Sequence, residues 1–337
     1  MRSDLLHVVL VYSNPRRFAA RTRLLMETIG YMLESGVRLT VVEHAFGARP
    51  WELKPEHQPA SLGVNLIQVR GGADQELWIK ESLIKIGVRS LPHDWKYLAW
   101  IDADVSFVRR DWASETVHAL QHYRVLQPWS HAIDLGPDGQ VMRNEWGNDA
   151  DRSFAAAWCD GDVEIPLDAY GKTQFGVSRA MLESKHKRDW RQHYGYAWAI
   201  RRAAWDGIGG LPDWLVTGSA DYHAALAFAG KMDRSEAYIS PGATRRLLAF
   251  ARRCDEHIRQ DIGVVPGTLI HGFHGNKKLR GYLSRKDVLV ESKFDPDEHL
   301  TYDWQGIPSL CGDNRILRDG LRRMLTSRNE DDIRLEG

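Results

Sequence analysis

Asp102 and Asp104 stand with only Ala103 between them, where an apolar run of strand length and composition, Tyr97 to Ile101, breaks off. Extended side chains alternate faces, so both carboxylates project to one side if the strand geometry persists through them. Two carboxylates so placed form a compact oxygen site for a hard divalent cation, Mn²⁺ or Mg²⁺. The same residues also read as a polar turn closing a buried strand, because Asp is a common terminator. Far downstream, His271-Gly272-Phe273-His274-Gly275 leads into Lys277, Lys278 and Arg280. An imidazole beside clustered cations suits a metal-bound diphosphate; the plainer reading is a surface turn with solvated lysines. In a straight strand His271 and His274 face opposite sides, so only one is expected to reach the metal, and the spacing leaves open which. Asp221 follows Thr217-Gly218-Ser219-Ala220 at the start of a helical stretch. Its carboxylate there is either a helix cap and dipole partner or a catalytic group.

These residues must be held by elements that the pattern of apolar positions outlines. His7 to Tyr12 is a short buried run, and Asn14-Pro15 then reads as the cap and first position of a helix. Phe18, Thr22, Leu25, Ile29, Met32 and Leu33 share one face of that helix, and Gly36 stops it. Val37 to Val42 is the next strand, ending at Glu43. Strand, helix, strand is a βαβ unit, which implies a parallel sheet with ligand groups at the strand C-termini. Val64 to Val69 adds a third strand, and Asp74 to Ile86 a helix ended by Gly87. The turn after the first strand lacks G-x-G-x-x-G, so this α/β layer is not a dinucleotide fold.

Asp111 to Tyr123 reads as helix and Val125 to Gln127 as a short strand. Pro128 to Arg191 has weak periodicity and is expected to be a long functional loop shaping a second substrate's pocket. Strand character returns around Gly195-Tyr196-Ala197-Trp198, where Gly195 would let a ligand approach the backbone. Arg245 to Gln260 is an amphipathic, arginine-rich helix, read first as a solvated basic face and second as a phosphate-binding one. The C-terminal stretch carries a helix at Ile316 to Leu325 and a charged tail expected to be disordered.

With 45 basic and 45 acidic residues in a chain of 337, no global field draws the protein to nucleic acid or membrane. Cys159, Cys254 and Cys311 are far apart and lack metal-type spacing, which fits a reduced, intracellular protein. The apolar run Val8 to Val11 is too short for a signal peptide, and none reaches the roughly 18 residues of a membrane span. A cytoplasmic location without a membrane span is therefore expected.

Taken in order, a βαβ start, an apolar strand ending in D-x-D, a Gly-aromatic-Ala strand, a downstream Asp opening a helix and a late His-Gly-x-x-Lys resemble GT-A-type glycosyltransferases over roughly residues 7–282. The resemblance implies a Rossmann-related three-layer α/β sandwich with a mixed, mostly parallel central sheet. It implies a nucleotide-binding half over 1–125, an acceptor-binding and catalytic half of the same domain over 126–285, and an extension over 286–337. By the same resemblance, Asp102, Asp104 and His274 would hold Mn²⁺ or Mg²⁺ on a nucleotide-sugar diphosphate, with Lys278 on phosphate and Lys277 and Arg280 beside it. Tyr12, Ser13, Asn14 and Glu43 would contact the base and ribose, Lys80 and the stretch Gly195, Tyr196, Ala197 and Trp198 would face the donor, and Asp221 would be the general base.

Two departures stand out: Leu279-Arg280 replaces the usual Pro-Trp, and Ala220 stands where a second acidic residue usually precedes the catalytic one. Trp78-Ile79-Lys80-Glu81 and the segments around Trp100 and Trp198 also look similar to little-characterised GT-A-like proteins of phages and bacteria. That likeness implies hydroxymethylated pyrimidines in DNA as one acceptor, with the host cytoplasm as location if the protein is phage-encoded. A polysaccharide, lipid-linked glycan or small molecule is the other acceptor class, and a UDP-sugar the favoured donor. A nucleotidyltransferase and a non-catalytic sugar- or DNA-binding module are the rival readings.

Overall fold

Val8, Val9 and Leu10 are all fully buried. A run with no solvent face belongs in the middle of a sheet covered on both sides. In the computed structural model, which describes residues 2–53, 63–144, 147–163, 192–232, 240–275 and 285–333, that run forms β1 (Leu6–Ser13). Parallel to β1 on one side lies β2 (Arg38–Phe46), with β3 (Asn65–Gly71) parallel beyond it, and on the other side lies β4 (Tyr97–Ile101). The central sheet has seven strands in the order β12-β6-β11-β4-β1-β2-β3, completed by β6 (Val125–Gln127), β11 (Ala197–Arg201) and β12 (Ile262–Val264). Only β11 runs antiparallel to its neighbours, so the sheet is mixed and mostly parallel. Residues on both sides of position 125 build this one sheet.

Alternation along β1 splits the core in two. Val8 and Leu10 pack with Leu25, Ile29 and Met32 of α1 (Ala19–Glu34) and with Trp112 and Val117 of α3 (Trp112–Ala119). Val9 packs on the opposite face with Leu83, Ile84 and Ile86 of α2 (Lys80–Arg89), joined there by Phe228 of α4 (Ala220–Phe228) and Phe250 of α5 (Pro241–His257). The result is helix, sheet, helix. Each fully buried aliphatic side chain in these faces contributes about 1.5–3 kcal/mol.

Two helices begin well after their expected starts. The first helix starts at Ala19, because the Asn14 side chain folds back on the Phe18 backbone, accepting from its N–H at 3.0 Å and donating to its carbonyl. The second starts at Lys80 and runs through Gly87 to Arg89, after the Trp78 N–H is drawn to the Val216 carbonyl. Gly87 is therefore no stop. A Cβ there would meet Val9 at 2.7 Å and Val42 at 3.1 Å, so the glycine lets α2 lie close on the sheet.

The chain leaves the central sheet at the end of β4 and enters a second one at β5 (Val105–Phe107). That sheet has the order β10-β9-β7-β13-β5, from β7 (His131–Leu135), β9 (Asp151–Ser153), β10 (Gln192–His193) and β13 (Thr268–His271), with β8 (Val141–Met142) pairing on β7. Part of the expected loop from Pro128 is thus ordered sheet. Its stretch 164–191 lies outside the described residues. The last helix, α6 (Arg315–Ser327), is followed by a segment that packs back on the molecule: Glu330 is only 2% exposed, against the expectation of a disordered tail. Among the described residues no helix is long and apolar enough to cross a membrane.

Candidate metal centre

Asp102, Ala103 and Asp104 are the corner at which the chain changes sheets. The extended geometry that would align the two carboxylates ends at Ile101, and Ala103-Asp104 form a turn. Asp102 is held by an ion pair with Lys80 at the start of α2. Asp104 joins a different group. β13 runs antiparallel to β5 with His271 opposite Val105, and the Gly272 N–H donates to the Asp104 carbonyl at 2.8 Å. This register delivers His271 to Asp104. Because β13 ends at His271, the backbone then turns and brings His274 round to the same carboxylate, so both imidazoles arrive where only one was expected.

His274 Nε2 lies 2.9 Å and His271 Nε2 3.7 Å from Asp104 Oδ2. One ligand atom from each of the three residues falls within 4.8 Å of the others, the arrangement a single metal ion requires. The far side of each ring is occupied as well. His271 Nδ1 is 2.7 Å from Asp134 Oδ1, and His274 Nδ1 is 2.9 Å from Glu330 Oε2. An ionised carboxylate only accepts, so each Nδ1 carries a hydrogen and each Nε2 of a neutral ring turns a lone pair toward Asp104. Carboxylates fix metal-ligating histidines in this way.

Lone pairs facing a carboxylate repel unless positive charge lies among them, supplied by a proton on Nε2 or by a metal ion in its place. Burial alone would raise the Asp104 pKa, but His271 and His274 hold it well below the usual carboxylate range. Burial would lower the His271 pKa, yet Asp104 and Asp134 more than offset that and the net shift is upward. Asp104 Oδ1 is buried and has no hydrogen-bond partner among the described residues. A buried carboxylate oxygen left so is costly, and a divalent cation is one group that satisfies it.

A second charged cluster lies alongside. Burial pushes the Asp102 carboxyl up against the opposing pull of Lys80. Lys80 would be lowered by burial but is held above its ordinary range by Asp102 and Asp221. Glu81 is pushed up to about 8, chiefly by burial. Asp221, in the first turn of α4, accepts from the Tyr222 N–H at 2.9 Å. A Cβ on Gly195 would stand 2.5 Å from Asp221 Oδ2, so the absence of a side chain here makes room for that carboxylate.

The other sequence candidates divide. Tyr12 OH donates to Glu52 at 2.6 Å, and Asn14 Nδ2 bonds both Tyr12 and Glu52. Glu43 is buried, accepting from the Glu52 and Leu53 N–H groups and from Gln68. Glu43 and Tyr12 direct polar atoms to the segment at Glu52 and Leu53, and Asn14 divides its own between that segment and the Phe18 backbone. Ser13 Oγ lies 3.2 Å from His44 Nδ1. Trp198 is core, with its indole N–H on the Tyr194 carbonyl, and Ala197 is a buried sheet residue opposite Ile101. Tyr196 supports the histidines: its hydroxyl donates to Asp134 at 2.9 Å, and its ring lies 4.9 Å from that of His271. Lys277, Lys278 and Arg280 lie outside the described residues.

Asp134 and Glu330 were missed. Asp134 sits in the segment read as loop and Glu330 in the tail, and neither carries a local signature.

No family model and no curated protein match this chain. Among solved structures it is similar to Staphylococcus aureus TarS at 9% identity and a TM-score of 0.41, covering 86% of this chain and 43% of that one. It is similar to Drosophila β1,4-galactosyltransferase 7, a mutant in complex with manganese, UDP-Gal and xylobiose, at 10% identity and a TM-score of 0.37, covering 91% and 95%. It is likewise similar to 4-diphosphocytidyl-2C-methyl-D-erythritol synthase from Anaerococcus prevotii, at 11% identity and 0.35, covering 79% and 90%. At this level of overlap such likenesses decide no chemistry, which has to be read from the side chains.

Proposed function

We propose that this chain is a metal-dependent glycosyltransferase, moving a sugar from a nucleotide-sugar donor, a UDP-sugar by preference, to an acceptor hydroxyl. The observation that carries the reading is the Asp104, His271 and His274 group, with both outer ring nitrogens held by carboxylates. The GT-A resemblance supplies Asp104 and His274 of this group, while His271 stands in it where the resemblance had Asp102. Two imidazoles and one carboxylate are a donor set that suits Mn²⁺ better than Mg²⁺. When bound, the ion would supply Lewis acidity to a departing diphosphate.

The chain's own groups would do the rest. Lys80 offers positive charge between Asp102 and Asp221. Asp221 is the carboxylate we assign to the acceptor proton, a role worth roughly 10²–10⁴-fold. For the acceptor we place a glycan, lipid-linked glycan or small-molecule hydroxyl ahead of a hydroxymethylated pyrimidine in DNA. On the arginine-rich helix α5, Arg245 and Arg246 pair with Asp297 and Arg253 donates to the Ile208 carbonyl, which reduces the positive charge the helix offers to a phosphate backbone.

A panel of nucleotide sugars with Mn²⁺, followed by nucleotide diphosphate release, tests the class. Release from one donor, lost in Asp104→Ala, is expected. Release of pyrophosphate from a nucleoside triphosphate would instead identify a nucleotidyltransferase. The donor set also matches the two-histidine, one-carboxylate sites of iron oxygenases, so turnover that needs Fe²⁺ and O₂ and ignores nucleotide sugars would overturn the proposal. Glycan and hydroxymethylated DNA arms of the same assay separate the acceptors by which one gains the mass of a sugar.

A further inference from the structure

Gly275 adopts φ +83°, and a Cβ there would stand 2.5 Å from the Asn329 carbonyl oxygen and 2.7 Å from Glu330 Cα. The residue after His274 is thus shaped to let the C-terminal segment cross directly over it. That segment is tied down on both sides of the crossing. Asp331 accepts from the Ala19 and Ala20 N–H groups at 3.0 and 2.8 Å, capping the first turn of α1. Arg328 lies over the Trp78 ring, 5.2 Å from its centroid, and donates to Glu330 Oε1 at 2.7 Å. Between these anchors Glu330 is buried, with Arg21 on one side and His274 Nδ1 at 2.9 Å on the other.

A carboxylate taken out of water is retained only where it is paired. Arg21 and Arg328 pair with Glu330, and the His274 contact adds to that pairing. What that contact does is fix the ring: Nδ1 must donate, and Nε2 is left aimed at Asp104. We propose that the C-terminal strap 328–331 is a working part of the metal centre and that Glu330 is the positioning residue that fixes the His274 tautomer and orientation. This rests on the metal reading above and adds to it. The site is completed by a residue far outside the region in which the resemblance lies, so loss of the last ten residues disables it even though every ligand remains.

The test is Mn²⁺ affinity of the full chain, read from the electron paramagnetic resonance signal of free ion, beside thermal melting without metal. Glu330→Ala is expected to weaken binding about 10–100-fold. Glu330→Gln, whose amide oxygen still accepts from Nδ1, recovers part of the loss, and apo melting does not follow that order. Removal of 328–337 behaves at least as severely as Glu330→Ala. Unmutated affinity in both substitutions overturns the inference.

Should the substitutions fail to fold, nitrogen-15 histidine spectra of the unmutated protein with diamagnetic Zn²⁺ decide. A protonated Nδ1 and a metal-shifted Nε2 on His274 uphold the inference, and the reverse pattern overturns it. Loss of binding in Asp104→Ala together with wild-type affinity in the Glu330 variants removes this inference alone. Absence of Mn²⁺ binding by the unmutated chain removes the metal reading and takes the inference with it.

Discussion

Asp102 and Asp104 look equivalent in the sequence and do different work in the folded chain. Asp104 faces two imidazoles, whereas Asp102 is neutralised by Lys80. The expected outcome is a split between two substitutions. Asp104→Ala weakens Mn²⁺ binding by more than the roughly 10–100-fold that follows loss of a ligand's outer partner. Asp102→Asn leaves Mn²⁺ affinity near the unmutated value and lowers turnover, since it releases Lys80 from its partner. Isothermal titration with Mn²⁺ beside steady-state kinetics checks both, and equal loss of metal affinity in the two variants contradicts the assignment. The D-x-D spacing and the late histidines were legible because their residue types already imply the chemistry. The identity of the ligands was not, because it depends on a turn at Ala103-Asp104 and another after His271, where the rule of alternating faces stops applying. Asp134 and Glu330 were invisible for a related reason: a residue that orients a ligand has no spacing rule of its own.

At the scale of elements, some glycines mark close approach and others endings: Gly87 and Gly195 are of the first kind, and Gly36, at φ +70° just past α1, is of the second. Gly87 sits inside α2 against Val9 and Val42, so Gly87→Val forces the helix off the sheet and is expected to cost about 1–3 kcal/mol by overpacking. Denaturant unfolding measures it, and an unchanged midpoint would show the contact to be slack. Gly195 precedes β11 and faces the flexible end of Asp221, which moves aside at little cost. Gly195→Ala is therefore expected to lower turnover by an order of magnitude or more within the general-base range while leaving Mn²⁺ affinity unchanged. A parallel fall in metal affinity would place Asp221 in the metal centre instead. The parallel strands and α1 could be read from continuous apolar runs and a helical face, because those patterns reflect burial on one or both sides. The start of α2 and the sheet around β7 could not, since the Trp78–Val216 bond and the β7–β13 pairing join residues remote in sequence.

For the molecule as a whole, two buried histidines set an acid limit. Burial lowers the pKa of His44 and of His223 to about 4 each, below an unfolded value near 6.5. The unfolded chain then binds more protons between those values, so stability falls as pH drops from about 6.5 to 4 and the loss is complete below the folded pKa. The drop amounts to roughly 3 kcal/mol per histidine at most. Melting curves across that window check it, and His44→Gln is expected to flatten the slope. Acid sensitivity unchanged in that variant would assign the effect elsewhere. The largest-scale claim is that two sheets and a C-terminal strap converge on one cation site. Anomalous diffraction at the manganese edge, from crystals grown with Mn²⁺, addresses it without any substitution or assay. The account expects one strong peak bounded by Asp104, His271 and His274. A peak on the Asp102 side of the corner away from both imidazoles, or none at saturating Mn²⁺, would contradict it.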